Sequence, residues 1–219
     1  MYRIRFFCWR QRYENKIEKW KTKKEFFHDL NQKIFTNAVL CIAKCVTLCV
    51  FSSSYMIIRH AQPQELDVIM QIFEAAKAYM YSVGNTSQWG ADYPPRQLIA
   101  DEIASGNFYV VEHEGAPVAV FSFDVAVEPT YATIDDGAWQ YDEPYGVVHR
   151  MASNGRVKGI ADYCFAWCKS RHHYLRVDTH RDNATMLQAI RRQGFVRSGI
   201  ITLSRNGDTR LAFEWHEGK

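Results

Sequence analysis

The fold is decided by the stretch from Tyr145 to Trp167, which reads YGVVHRMASNGRVKGIADYCFAW. Its apolar residues Val147, Val148 and Met151 predict a strand, and the polar Ser-Asn-Gly at 153–155 predicts a turn. A helix is predicted next, because apolar residues recur at three- and four-residue spacing: Ile160, Ala161, Cys164, Phe165 and Cys168. The stretch is therefore a strand, a tight turn and a helix with one apolar face.

The junction between turn and helix carries the pattern Arg156-x-x-Gly159-x-Ala161. Backbone N–H groups in the first turn of a helix have no carbonyl partner within the helix, and the helix dipole favours negative charge there. The small residues Gly159 and Ala161 allow a ligand to approach the backbone closely. We therefore expect this junction to bind a phosphate group.

This pattern after a strand, with Asn183 and the pair Gly194-Phe195 downstream, resembles the GNAT (general N-acetyltransferase) superfamily over about Met56 to His216. The pairs Gln88-Trp89, Tyr93-Pro94 and His149-Arg150 are similar to a bacterial subgroup of that family. The resemblance implies an α/β (α+β) domain with a mixed, largely antiparallel central sheet flanked by helices. It also implies transfer of an acetyl group from acetyl-CoA to an amine of a small molecule or peptide.

The resemblance further implies a set of residues for the cosubstrate. Backbone groups near Met151 and Ser153 would hold the pantetheine, and Asn183 would contact the CoA arm. The pyrophosphate would lie against the residues Arg156, Val157, Lys158, Gly159, Ile160 and Ala161. The alternatives are that Arg156 and Lys158 are solvated charges and that Asn183 only caps a helix.

Two features depart from the family pattern. The turn before Arg156 is shorter than is usual in the family. Many members also carry a Tyr four residues before the Gly of Gly-Phe, where it protonates the leaving thiolate, and this chain has Ile190 at that position. An aliphatic side chain cannot donate a proton, so this role is vacant or has moved to another group.

Three residues are the candidate acid/base groups: His149, Asp178 and His180. An unperturbed imidazole titrates near pH 6.5. His149 precedes the pantetheine segment, and the other two end the next predicted strand. The alternatives are a strand histidine that only packs and a strand-end turn. The spacing of the three resembles no metal motif, so we expect no metal.

Loop and strand side chains are candidates for acceptor recognition. Trp89, Tyr93 and Trp139 lie in irregular segments, where aromatic residues either line a substrate mouth or pin the loop to the core. Arg150 would either clamp a substrate carboxylate or pair with Asp178 or another acid.

The rest of residues 56–219 predicts the element order β-α-α-β-β-β-α-β-α-β-β. Helices are expected from Pro63, over 96–104 and after Asn183, and hairpins at Glu114-Gly115 and around Asn206-Gly207. The connection over 125–144 is long enough to be a functional loop or to contain a short element.

Charge divides the chain. Residues 1–55 contain 11 Lys and Arg against 4 Asp and Glu, whereas residues 56–219 contain 16 against 20. The body is therefore mildly acidic, which argues against nucleic acid as a partner. Cys164 and Cys168 are one helical turn apart and predict core packing rather than a disulfide, which suits a reducing cytoplasm.

Residues 1–55 form a basic and then apolar N-terminal extension that we interpret as dispensable or outside the natural chain, with Met56 as a plausible start. The apolar run at 38–51 is short for a membrane span, and a peripheral membrane helix is the alternative. We expect no membrane contact from the body and a monomer or homodimer.

Two functions are consistent with the sequence alone. The first is an acetyl-CoA-dependent N-acyltransferase acting by direct attack of the amine. The second is a CoA-binding module without turnover, which the Ile190 position supports.

Overall fold

A computed structural model describes residues 55–218. The predicted extension, apart from Tyr55, lies outside the described residues. The seven strands are β1 (Met56–His60), β2 (Phe108–His113), β3 (Ala116–Val125), β4 (Gly146–Ser153), β5 (Tyr174–Thr179), β6 (Val196–Thr202) and β7 (Thr209–His216). The four α-helices of this part of the chain are α1 (Leu66–Ser82), α2 (Arg96–Ala104), α3 (Ile160–Lys169) and α4 (Ala184–Arg192).

The strands form one mixed sheet in the order β1-β2-β3-β4-β5-β7-β6. The pair β4–β5 is parallel and the other pairs are antiparallel. A parallel pair needs a crossover connection, and α3 supplies it between β4 and β5. The predicted mixed, largely antiparallel sheet flanked by helices is confirmed.

Strand alternation places a separate core on each face of the sheet. On β2, Val110 packs in the cluster of α1 and α2, whereas Val111 packs in the cluster of α3 and α4. Cys164 and Cys168 are fully buried in the second cluster and carry free thiols, so the prediction of core packing is confirmed. Their burial raises the pKa of both thiols, which keeps them protonated and unreactive.

The central strand β4 is regular only in its first half. Gly146 to Val148 pair with Leu175 to Val177 of β5, and beyond Val148 the two strands no longer pair. The second half of β4 stays with β3 through a bulge, and Arg150 within it has a φ of +52°. The two strands therefore diverge, and the β5-facing edge of residues 149–153 is left without a strand partner.

Local signals placed most of the connecting segments correctly. The helix predicted over 96–104 is α2, and Pro63 opens a 3-10 turn (Pro63–Glu65) that continues into α1. The connection over 125–144 contains a 3-10 turn at Pro129–Tyr131, so the alternative of a short element is correct. Among residues 55–218, the helices are too short or too polar to cross a membrane.

Candidate active site

The divergence of β4 and β5 opens a cavity of about 910 Å³ at the carboxyl ends of the two strands. Eight of the residues predicted for the cosubstrate line it: Met151, Ser153, Val157, Lys158, Gly159, Ile160, Ala161 and Asn183. The side chain of Arg156 is exposed and lies outside the cavity wall. The structure therefore brings the predicted set together, with Arg156 at its margin.

The turn between β4 and α3 is held by its own side chains. The Ser153 hydroxyl accepts a hydrogen bond from the Gly155 amide (3.2 Å), and the Asn154 side chain accepts one from the Arg156 amide (3.1 Å). Gly159, with a φ of +77°, precedes α3 in the left-handed region that favours glycine. The first residues of α3 line the cavity, and their amides have no carbonyl partners within the helix, which suits the binding of an anion.

Asn183 has two contacts. Its Oδ1 accepts from the Met186 amide (3.0 Å), which caps α4, and its Nδ2 donates to Gln88 (2.9 Å). Asn183 therefore caps α4, and it also lies on the cavity wall. Contact with the CoA arm remains a prediction.

Three side chains from three elements meet beside the cavity, which two of them, His149 and Asp178, line. The Tyr131 hydroxyl donates to Asp178 Oδ1 at 2.8 Å, and His149 Nε2 lies 3.1 Å from both that oxygen and the Tyr131 oxygen. His149 comes from the diverging part of β4, Asp178 from the end of β5 and Tyr131 from the 3-10 turn. His149 is half-buried on the cavity wall rather than enclosed in the core.

This geometry selects one form of the imidazole. Both neighbours of Nε2 are oxygens, and the Tyr131 proton is directed at Asp178, so Nε2 carries the hydrogen. In the neutral ring the lone pair is then on Nδ1, which lies 3.9 Å from Glu128 Oε2. A histidine held by a carboxylate on one nitrogen and open on the other has the arrangement of a general base.

Burial and charge shift the pKa values of the partners in opposite directions. Burial raises the pKa of Tyr131 well above its usual value, and the Asp178 carboxylate adds to the shift. Burial alone would raise the pKa of Asp178, but the hydrogen bond and charge of His149 outweigh it and hold that pKa below its usual value. At neutral pH Tyr131 therefore stays protonated and donates a hydrogen bond, and Asp178 stays ionised and accepts it.

His180 is directed away from this group. Its ring contacts Ser87 and Asp182, each at 3.5 Å, and it is not on the cavity wall. Burial and the neighbouring Arg210 charge lower the pKa of His180. Within residues 55–218, His149, Asp178 and His180 do not form a cluster with metal-ligand spacing.

Arg150 pairs with an acid that we did not single out from the sequence. Its Nε donates to Glu102 Oε2 at 3.0 Å, and a terminal nitrogen contacts Glu102 Oε1. The interpretation of Arg150 as a partner of another acid is therefore correct, and that acid lies on α2. A smaller cavity of about 150 Å³ borders this pair and shares Glu128, His149 and Arg150 with the main cavity.

The loop aromatics divide between the two predicted roles. Trp89 and Tyr93 line the main cavity, and Trp89 also packs edge-on against Phe73 with ring centroids 5.6 Å apart. Trp139 does not line it: its indole donates to the Tyr131 carbonyl (2.9 Å) and holds the loop in place. Ile190 is fully buried in the core and has no access to the cavity.

Tyr131 and Glu128 were not among the predicted catalytic residues. Both precede or occupy the 3-10 turn, and the Glu128 side chain caps it by accepting from Thr130 N. Tyr131 is one of the loop aromatics that we expect either to line a substrate mouth or to pin the loop to the core, and the sequence signal for Glu128 is an acidic residue before Pro129-Thr130. That signal indicates a turn, not a site.

Comparison with solved structures identifies similar proteins. A GNAT-family acetyltransferase from Streptococcus agalactiae is 30% identical with a TM-score of 0.69, and the match covers 76% of this chain and all of that one. A GNAT-family acetyltransferase from Listeria monocytogenes is 17% identical with a TM-score of 0.55, covering 74% and 94%. An acetyltransferase from Salmonella typhimurium that modifies the N-terminal serine of ribosomal protein L7/L12 is 16% identical with a TM-score of 0.52, covering 75% and 96%.

The last two similarities show the fold alone. No family model matches the sequence, and no curated protein matches it.

Proposed function

Since the chain belongs to the GNAT family of acetyltransferases, we propose that residues 56–219 bind acetyl-CoA and transfer its acetyl group to an amine of a small molecule or peptide. The observation that carries the proposal is the divergence of β4 from β5 beyond Val148, which leaves a strand edge facing a large cavity. The amide groups of pantetheine are suited to such an edge because they can pair with it as a strand would.

The other end of the cosubstrate has a matching surface. The pyrophosphate would lie at the start of α3, against the amides of Ile160 and Ala161, with Lys158 as the nearby cation. Gly159 has open space where a Cβ would be, so a phosphate can approach its backbone.

His149 is the proposed general base. A lysine-like amine is almost fully protonated at neutral pH, because its pKa is near 10.4. Nδ1 of His149 would accept the proton while Asp178 and Tyr131 hold Nε2–H, and the Glu128 carboxylate at 3.9 Å would stabilise the imidazolium. The freed amine attacks the thioester carbonyl, the C–S bond breaks, and the attacking nitrogen loses its second proton to water, so that an amide and CoA thiolate result.

In this proposal the thiolate takes its proton from water. The residue at the family's usual donor position, Ile190, is a buried aliphatic side chain. The same observation favours the second candidate, a CoA-binding module without turnover. The two candidates differ in whether an amine causes release of free thiol.

Two measurements test the proposal. Calorimetry with CoA should give at least a tenfold weaker affinity for Gly159→Glu, because a carboxylate would lie against the pyrophosphate. The matched control is Gly115→Glu in the β2–β3 hairpin, which has the same φ of +77° and equally open space. Its affinity should equal that of the parent, whereas equal affinity in both variants would contradict the phosphate assignment.

Turnover is measured as free thiol released from acetyl-CoA across a panel of amines. Release that depends on an amine supports the transferase, and CoA binding without release on any amine supports the module. We also propose that the protein works in a reducing compartment such as the cytoplasm, where the free Cys164 and Cys168 remain thiols.

A further inference from the structure

A second group of chemically active side chains lies at the other end of β5 from Asp178. His173 immediately precedes β5, His216 ends β7, and Glu143 belongs to the connection before β4. A strand rises about 3.3 Å per residue, so the five residues from His173 to Asp178 separate the two groups by roughly 16 Å. The group is therefore distinct from the candidate active site.

The three side chains converge on one point. Glu143 Oε1 lies 2.8 Å from His216 Nε2, and Glu143 Oε2 lies 3.3 Å from His173 Nε2. One donor atom from each residue lies within 4.8 Å of the others. The two imidazole rings are nearly perpendicular (86°), with centroids 5.5 Å apart, so their nitrogens approach the carboxylate from different directions.

The orientation of His216 is fixed independently of Glu143. Its Nδ1 is 2.7 Å from the Glu217 carbonyl oxygen, which can only accept, so Nδ1 carries the hydrogen. The ring also stacks on Tyr141 at 4.2 Å. In the neutral ring, Nε2 therefore presents a lone pair to the Glu143 carboxylate, and two lone pairs at 2.8 Å repel each other. The contact is stabilised either by a second proton on the ring or by a metal cation bound between the two groups.

We propose that Glu143, His173 and His216 form a binding site for a divalent transition metal, with Zn²⁺ as the best fit. Two imidazoles and one carboxylate suit Zn²⁺, whereas Mg²⁺ and Ca²⁺ prefer all-oxygen ligands. A metal-bound histidine usually donates its other ring N–H to a backbone carbonyl or carboxylate, and His216 has that contact in place.

The geometry needs only a small adjustment. Bonds of about 2.0–2.1 Å in a tetrahedral site separate ligand atoms by about 3.3 Å. His173 and His216 contact different oxygens of Glu143, at 3.3 Å and 2.8 Å, and one ligand atom from each of the three residues lies within 4.8 Å of the others. The longest of these separations would therefore shorten by at most about 1.5 Å. The side chain of His173 is 47% exposed and therefore free to make this adjustment. Water would complete the fourth position.

Metal at this site would stabilise the loop that carries part of the active site. Glu143 lies on the same connection between β3 and β4 as Glu128 and Tyr131. Binding would fix the end of that connection to the start of β5 and the end of β7, and binding to the folded state raises its stability. The proposal does not depend on the acetyltransferase activity.

The test uses the full chain, without a histidine tag and stripped of metal by a chelator, titrated with Zn²⁺ in a calorimeter under reducing conditions. We expect His216→Ala and Glu143→Gln each to bind one equivalent of Zn²⁺ fewer than the parent, or to bind that equivalent at least tenfold more weakly. His113→Ala, a histidine on β2 outside the group, should retain it. Zn²⁺ should raise the Tm of the parent and of His113→Ala more than that of the other two.

Cysteine thiolates elsewhere in the chain are distinguished with Co²⁺. The proposed site contains no sulfur, so the Co²⁺ absorption that disappears in His216→Ala should lack a sulfur-to-metal charge-transfer band. Equal Zn²⁺ stoichiometry and affinity in the parent, His216→Ala and Glu143→Gln would overturn the proposal and leave an imidazolium–carboxylate ion pair. Glu143→Gln keeps nearly the shape of the parent side chain, so it decides the question if His216→Ala fails to fold.

Discussion

The two halves of β5 carry similar side chains that have different roles. Tyr174, Arg176 and Asp178 alternate along one face of the strand. In the first half, Arg176 Nε donates to the Tyr174 hydroxyl (2.8 Å), which donates to Glu214 (2.6 Å). All three are buried, and the Arg176 guanidinium also lies 3.9 Å from the ring centroid of Tyr145. This network is closed to solvent.

The second half contains the same kinds of group, a tyrosine, a carboxylate and a potential cation. Tyr131, Asp178 and His149 are joined by contacts of 2.8 to 3.1 Å, slightly longer than those of the first network. The difference is the strand next to them: β4 pairs with β5 as far as Val148, and beyond it the cavity begins. Where the sheet is closed such a network contributes stability, and where it opens one member becomes available to a substrate.

We expect the largest effect from removing a charge in the closed half of β5, the half that contains Tyr174 and Arg176. Arg176→Met leaves the Glu214 carboxylate buried without the cation that is linked to it through the Tyr174 hydroxyl, which should reduce the free energy of unfolding by about 3 kcal/mol. Urea denaturation measures it, and CoA affinity of the folded protein should not change. The double variant Arg176→Met/Glu214→Gln should recover at least about 1 kcal/mol, because no buried charge remains. A stability unchanged by Arg176→Met would contradict a structural role.

In the open half, loss of charge should affect activity more than stability. Asp178→Asn should lower kcat/KM with the best amine by roughly tenfold to a hundredfold, because an amide no longer fixes the His149 tautomer or stabilises its imidazolium. An unchanged kcat/KM in a folded Asp178→Asn would contradict this role.

Each network contains one tyrosine, Tyr131 or Tyr174, so the same substitution by phenylalanine can be compared in both. Tyr131→Phe removes the hydroxyl that holds Asp178 and should lower kcat/KM by about tenfold. Tyr174→Phe removes the hydroxyl between Arg176 and Glu214 and should reduce the free energy of unfolding by about 1 kcal/mol with activity retained. The comparison fails if Tyr174→Phe loses as much activity as Tyr131→Phe.

The smallest effect is a difference in acid stability. The pKa of Asp178 is below its usual value in the folded protein, so its ionised form stabilises the fold above the unfolded pKa, which is about 3.9. That contribution is lost as the pH falls through the folded pKa. The stability difference between the parent and Asp178→Asn should therefore decrease between pH 6 and pH 3 in denaturant titrations. A difference that grows towards low pH would mean that the pKa of Asp178 is raised.

The elements of this fold could be predicted because their signals are local. Pro63, Gly194 and Asn206-Gly207 mark helix and hairpin ends within a few residues, and apolar spacing fixes which helix face is buried. Asn183 was predictable as a cap for the same reason, since it bonds an amide only three residues away.

The site was harder to predict from the sequence because its contacts join residues that are far apart in the chain. Arg150 and Glu102 are 48 residues apart, and Tyr131 and Asp178 are 47 apart, so no window of sequence contains either pair. The β-bulge at Arg150 also changes which side chains of β4 share a face, and strand alternation does not reveal it. The Glu143–His173–His216 group was missed for the same reason, because topology alone brings the end of β7 beside the start of β5.

The most direct test of the central claim, that the open half of β5 serves chemistry, is the pH–rate profile of the parent beside that of His149→Gln. We predict that His149→Gln folds, binds CoA with the affinity of the parent, and loses roughly a hundredfold or more in kcat/KM. We also predict an ascending limb in the parent that the variant lacks, because glutamine cannot accept the proton of the amine. An active His149→Gln with the same limb would contradict the account and remove His149 from the mechanism.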